Sequence, residues 1–264
     1  MLLPELYTRT LLDNRRALLG WAIGTTVVGA MYAGFYPQVS EGGMAATVEN
    51  YPEAMREALR LNDMGSAAGY LGSTVFGLLL PLLMMAYGVT FGARAIAGDE
   101  ESGYLDLLLA HPISRTRLAL QRFAGLVTGA VATATLVLLA MLAIRPGADL
   151  ESIGVAEFAA QCAHLALLGI TFGALAIGLG AALGKRGQVL AITVAVGVLA
   201  YIAGTLAGMI GADWLKYLSP FHYYIGGEPL RHGMQWGDAA VLLAAAAVSI
   251  GLGFLRFNRR DLRS

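Results

Sequence analysis

Apolar positions along this chain fall into six long blocks separated by polar islands. A helix needs about 20 consecutive apolar residues to cross the hydrocarbon core of a bilayer. Blocks at about 17–36, 70–97, 118–144, 157–183, 188–211 and 237–256 meet that length. Trp21, Phe35 and Tyr36 stand near the ends of the first block, where amphipathic rings anchor a span at the interface. Pro81 lies inside the second, which is tolerable if a neighbouring helix re-satisfies the carbonyl that proline leaves without a donor. Ahead of the first block, Leu3, Leu6, Tyr7, Thr10 and Leu11 alternate with Arg9, Asp13, Arg15 and Arg16 in a pattern that predicts an interfacial helix over 1–16. The fold expected is therefore an all-α membrane protein. It has six transmembrane helices in a single domain, 1–264, with an interfacial N-terminal helix.

The islands differ in character. The loop at about 37–69 is long and acidic, with a short helix predicted over 51–60, Pro52 in its first turn and a narrow apolar face of Ala54, Met55, Ala58 and Leu59. That face fits either packing at the membrane mouth or a gate. The loop at 145–156 is short. The segment from Asp213 to Gly227 is rich in aromatics and broken by Pro220, Gly226 and Gly227, with Pro229 following. It is too interrupted for a span. It fits either a re-entrant piece covered by protein or water, or an aromatic belt lying flat at the interface.

The island from Gly98 to Arg117 is a short amphipathic helix by pattern, spanning about 99–111. Asp99, Glu100 and Glu101 fall in its expected first turn, where the helix dipole favours anions. Tyr104, Leu105, Leu108 and Leu109 make one apolar stripe. Pro112 ends it, and Ser114 is placed to cap the following helix.

Composition reinforces the membrane reading. Of 264 residues, 57% are hydrophobic and 14% charged, against roughly a quarter charged in soluble domains. Net charge is zero, so no basic surface points to nucleic acid. The single Cys162 excludes an intramolecular disulfide and a thiolate metal cluster. No cleavable signal peptide is expected, because Tyr36 and Pro37 make a poor small-residue cleavage site. Lysines and arginines set the orientation. With both termini inside, Arg9, Arg15, Arg16, Arg94, Arg115, Arg117, Arg122, Lys185, Arg186, Arg256, Arg259, Arg260 and Arg263 are cytoplasmic. Only Arg56, Arg60, Arg145, Lys216 and Arg231 are outside. Plasma-membrane location with cytoplasmic ends is the expectation, and it puts the 98–117 island in the cytoplasm.

Candidate chemistry is sparse. Gly180 to Arg186 has three spacers where a phosphate loop needs four, and Arg186 replaces the magnesium-binding Ser or Thr. Gly178 to Leu183 lacks the third glycine of a dinucleotide fingerprint. Of His111, His164, His222 and His232, only His164 lies in a span. A haem subunit would need a second copy to pair it. No Ser/His/Asp set clusters at one depth, so an enzyme acting alone is not expected, and no metal site is nominated. The spans hold almost no charge, which weakens an ion-coupled carrier, although carbonyls can bind sodium. Glycines recur four apart at Gly20 and Gly24, Gly88 and Gly92, Gly125 and Gly129, Gly169 and Gly173, Gly180 and Gly184, and Gly204 and Gly208. Such pairs let helix backbones approach closely.

The run Glu100-Glu101-Ser102-Gly103-Tyr104-Leu105, the leucines to Leu109, and His111-Pro112-Ile113-Ser114-Arg115 resemble the segment after the second span in ABC-2 type transporter permeases. Tyr104 stands where a small residue is common there. Six spans, inward termini and the outer Ser219-Pro220-Phe221 resemble the same family. The resemblance implies the membrane subunit of an ATP-driven exporter rather than an enzyme. ATP and magnesium would sit on two separate cytoplasmic ATPase subunits, with no cofactor on this chain. It also implies a homodimer or pairing with a homologous permease. The 98–117 island would be the coupling helix, with Glu100, Glu101, Gly103, Tyr104, Leu105, Leu108, Leu109, Pro112, Ser114 and Arg115 as docking residues. Ser219, Pro220, Phe221, Gly226 and Gly227 would form the broken outer segment between spans five and six. A substrate path between two copies, along spans two and five, would use Tyr70, Ser73, Thr74, Phe76, Met84, Met85, Tyr87, Tyr201 and Thr205. Methionines and aromatics there suit a bulky amphipathic or apolar substrate. Two other readings stay open from the residues alone: a carrier or channel that needs no nucleotide, and a non-transport scaffold or haem-bearing subunit.

Overall fold

The structure, a computed structural model, describes residues 3–42, 48, 50–61, 63–109, 114–208 and 211–259. All regular structure among them is helical. We number the helices α1 (Leu3–Ala33), α2 (Tyr36–Glu41), α3 (Glu53–Ala58), α4 (Ala67–Glu101), α5 (Tyr104–Leu109), α6 (Arg115–Ile144), α7 (Val155–Leu183), α8 (Arg186–Leu206), α9 (Pro220–Ile225), α10 (Pro229–His232) and α11 (Trp236–Arg259). Six of these segments are long and apolar enough to cross a membrane: α1 with its continuation, α4, α6, α7, α8 and α11.

Residues 3–16 and the first span form one unbroken helix. No glycine or proline falls between Pro4 and Gly20 to interrupt the hydrogen-bond ladder, and Asn14 turns its amide back onto the Thr10 carbonyl at 2.8 Å. The fifth span stops at Leu206, short of the expected 211, and Gly211 adopts a left-handed φ of 67° just beyond it.

The bundle is organised around α7. It packs against α4, α6, α8 and α11, while α1 lies along α6. Its most apolar stretch is 78% buried, against 17% for α8, which exposes Ile192, Val196, Leu199 and Ile202 to the surroundings. Two of the expected glycine pairs meet each other. A Cβ on Gly88 would lie 2.3 Å from the Gly169 carbonyl oxygen, and one on Gly92 would lie 2.5 Å from that of Gly173. Backbone contact at this distance leaves no room for any side chain, so α4 and α7 are joined along their glycine faces. Gly20 and Gly24 have nothing within reach.

In α4, Leu71–Leu79 and Arg94–Gly98 are wound as π-helix, bracketing the α-helical stretch that contains Pro81. The carbonyl four residues before Pro81 belongs to Gly77. It accepts the Tyr201 hydroxyl from α8 at 3.3 Å, so a neighbouring span supplies the donor that proline lacks. Arg115, at the start of α6, donates to the Phe257 carbonyl at 2.8 Å, and Arg122 reaches Thr10 at 3.3 Å. The start of α1, the start of α6 and the end of α11 thus share one end of the bundle, here called proximal. The other end is distal.

Candidate functional site

The proximal end is where the 98–117 island lies. Asp99, Glu100 and Glu101 occupy the last turn of α4 rather than the first turn of the next helix. Gly103 causes the difference. It takes a left-handed φ of 70° and closes the helix, with its N–H on the Glu100 carbonyl and that of Ser102 on Gly98. Three carboxylates at a helix C-terminus oppose the dipole, so they need compensation from elsewhere. The Asp99 carboxylate accepts from the Arg122 guanidinium at 2.5 Å, in a pair whose side chains are only 17% and 8% exposed. Glu101 accepts the Arg186 backbone N–H at 2.9 Å, at the first turn of α8, where a helix welcomes an anion. The end of α4 is thereby tied to α6 and α8, and through the Arg122–Thr10 contact to α1. A cavity of about 480 Å³ opens beside this cluster, lined by Asp13, Arg94, Asp99, Ser102, Tyr104 and Arg122 among others.

Of the nominated docking residues, Leu105 and Leu108 are buried in the chain's own core, and Tyr104 is half-buried against it. The stripe on α5 therefore holds the short helix to its own bundle, leaving Glu101, Ser102 and Gly103 exposed. Ser114 caps α6 by accepting the Arg117 N–H at 3.3 Å, and Arg115 stacks over Phe257. The side chain of Leu109, and Pro112 altogether, lie outside the described residues. Arg122 was not singled out as a site residue, although an arginine a few positions into an apolar block is a signal in itself.

The nominated path residues are dispersed. Phe76, Met84 and Tyr87 are enclosed within the bundle, Tyr87 donating to the Leu126 carbonyl at 2.8 Å. Tyr70 bonds the Tyr32 carbonyl, Ser73 bonds the Tyr70 carbonyl and the Met64 sulfur, and Met85 is buried against Gly197. Thr74, Tyr201 and Thr205 retain partial exposure. His164 is fully buried, with its ring nitrogens 2.9 Å from the Ala160 carbonyl and 3.3 Å from that of Gln235.

At the distal end the broken segment divides in two. Trp214, Tyr217 and Leu218 lie exposed on a 3-10 turn, Asp213–Leu218, as an interfacial belt would. After Ser219, α9 turns inward. The Ser219 hydroxyl donates to the Ala200 carbonyl at 2.7 Å and accepts the Phe221 N–H at 3.2 Å. Phe221 packs on Phe172 and, edge-on, on Tyr201. Gly226 lies beside His222 and Gly227 beside Gln235, both too close for a side chain. In the first distal loop, Met55 and Leu59 are exposed; the side chains of Ala54 and Ala58 lie outside the described residues.

Six apolar helices, glycine-faced packing and polar assemblies confined to the two ends define a multi-pass membrane protein. A family model described as ABC-2 family transporter protein matches residues 8–262, and the chain belongs to this family. It is accordingly a transport membrane subunit, an ABC-type permease, of a family whose permeases work with ABC ATPases. A comparison with curated proteins finds no match.

Proposed function

We propose that the chain is the membrane-spanning subunit of an ATP-driven exporter, with its proximal end in the cytoplasm and two separate ATPase subunits docked there. The observation that carries this is the closed α4 end. A short helix, α5, follows a left-handed glycine, and the acidic turn before it is strapped to α6 and α8. A push on Glu101, Ser102 and Gly103 would reach three spans at once. ATP and magnesium belong to the partner, and the arginine-rich proximal end is the side that positive residues keep in the cytoplasm. A second copy covers the exposed apolar face of α8, and the substrate passes between copies past Thr74, Tyr201 and Thr205.

The test uses Ser102→Trp, which adds bulk to an exposed position without entering the core. Tagged wild-type chain purified from its native membranes is expected to carry magnesium-dependent ATPase activity, and Ser102→Trp to lose it with its monodispersity intact. Equal ATPase activity in both preparations would overturn docking at this turn.

A further inference from the structure

At the distal end, the first loop, the start of α4, α7, α8 and the broken segment line a cavity of about 470 Å³, within the range of small-molecule sites. Arg60, Gln161, Thr205, Lys216, Glu228 and Arg231 are among its lining. Most of its charges are already committed. Arg231 pairs with Asp63 and, at 3.5 Å, with Glu228, and Lys216 lies 3.9 Å from Asp213.

Two groups are left over. Arg60 donates one N–H to the Ile225 carbonyl at 2.9 Å and makes no ion pair with a described side chain. A guanidinium has five N–H donors in a planar fork, so this residue of the cavity lining keeps donors to spare. Burial pulls its pKa below the ordinary arginine value, with Glu228 opposing from beyond ion-pair range. Its backbone is held at a left-handed φ of 56°, and that of Glu228 at 50°, a conformation uncommon outside glycine. Gln161, on α7, has no solvent exposure, and the buried Tyr224 hydroxyl is its hydrogen-bond neighbour; one hydroxyl cannot engage the amide oxygen and both amide N–H donors together. Buried polar atoms of this kind are rare because desolvation is not repaid. A fork with spare donors at the rim and an amide at depth with a donor to spare call for the same partner: a group with several acceptor oxygens.

We propose that this cavity binds an oxyanion, either a free one or the head of an anionic lipid, with Arg60 as its charged clamp and Gln161 as its deep hydrogen-bond partner. A phosphate or carboxylate accepts a bidentate pair from an arginine and has oxygens left for the amide. The inference does not depend on an ATPase partner.

Two probes separate the sources. The first is radiolabelled inorganic phosphate, with the purified chain in phosphatidylcholine nanodiscs. The second is phosphatidylglycerol, offered against phosphatidylcholine and read by lipid retention in native mass spectrometry. At least one probe is expected to bind saturably, and Arg60→Gln and Gln161→Leu are each expected to weaken it tenfold or more. Arg9→Gln, at the exposed opposite end, is expected to leave it unchanged. Response to phosphate alone identifies a free anion, and response to phosphatidylglycerol alone identifies a headgroup. Saturable binding of neither probe, or equal loss in Arg9→Gln, overturns the proposal. Wild-type protein gives an independent readout should the variants fail to fold. Saturating ligand is expected to slow phenylglyoxal modification of Arg60, mapped by peptide mass, and not that of Arg9. Equal modification of Arg60 with and without both probes overturns it as well.

Discussion

The two ends of the bundle hold cavities of nearly the same size, about 480 Å³ proximally and about 470 Å³ distally, built on opposite plans. The proximal cluster comes from the ends of long helices, and its key pair, Asp99 with Arg122, is almost withdrawn from solvent. The distal cluster comes from loops and short turns, and its main pair, Arg231 with Asp63, is well exposed at 39% and 47%. A buried pair built into helices resists separation and moves with them. An exposed one on loops can exchange partners with a ligand. Under the proposed function, the first arrangement suits transmitting motion and the second suits receiving a ligand.

The helix pair that spans both ends gives the largest expected effect. Gly88→Leu puts a side chain where the Gly169 carbonyl already lies 2.3 Å from the Cβ position. Overpacking a core that can adjust ordinarily costs about 1–3 kcal/mol; against backbone that cannot move aside, the loss is expected to go well beyond that range and to prevent the two helices from docking. The yield of monodisperse protein should collapse. A melting curve within a few degrees of wild type would show that the glycine contact is not what joins α4 to α7.

Next in size is Arg122→Met, which strands the Asp99 carboxylate. Removing one partner of a buried pair costs about 3–5 kcal/mol, whereas replacing both is often close to neutral. Chemical denaturation of Arg122→Met should show that loss, and adding Asp99→Asn should restore most of it. The distal counterpart, Arg231→Met, is expected to cost only about 0.5 kcal/mol, the ordinary worth of an exposed pair. Equal losses at the two ends would erase the contrast.

The spans were legible because length and hydropathy determine them directly. Pro81 also carried usable information, since its missing N–H demanded an outside donor and Tyr201 provides one. The proximal turn was less legible. The acidic run read as a helix start on dipole grounds, but Gly103 closes α4 after it, and the compensation comes from Arg122 and Arg186, distant in sequence. The stripe of Leu105 and Leu108 was correctly apolar, yet periodicity cannot say whether a stripe faces its own bundle or another protein. Spacing alone likewise could not separate Gly88 and Gly92, which meet a partner helix, from Gly20 and Gly24, which meet nothing. The distal cavity left no motif, because its lining is gathered from four separate stretches of chain.

The smallest expected effect is a pH response at the distal end. His222, on α9, lies between the Tyr217 and Tyr223 rings, each 5.1 Å away. Burial lowers its pKa below the ordinary histidine value; Asp238 opposes this, while Lys216 and Arg60 add to it. The unfolded chain therefore binds a proton at this histidine more readily than the folded one does. Where the unfolded state holds more protons, stability rises with pH, so the fold should weaken as pH drops below about 6.5. Partial exposure of the ring keeps the effect modest. Hydrogen exchange at Pro220–Ile225, followed from pH 7.5 to pH 5.5 with correction for intrinsic rates, should show protection lost on acidification. His222→Gln should lose most of that dependence. An identical acid response in His222→Gln would move the sensitivity of the distal end to another group.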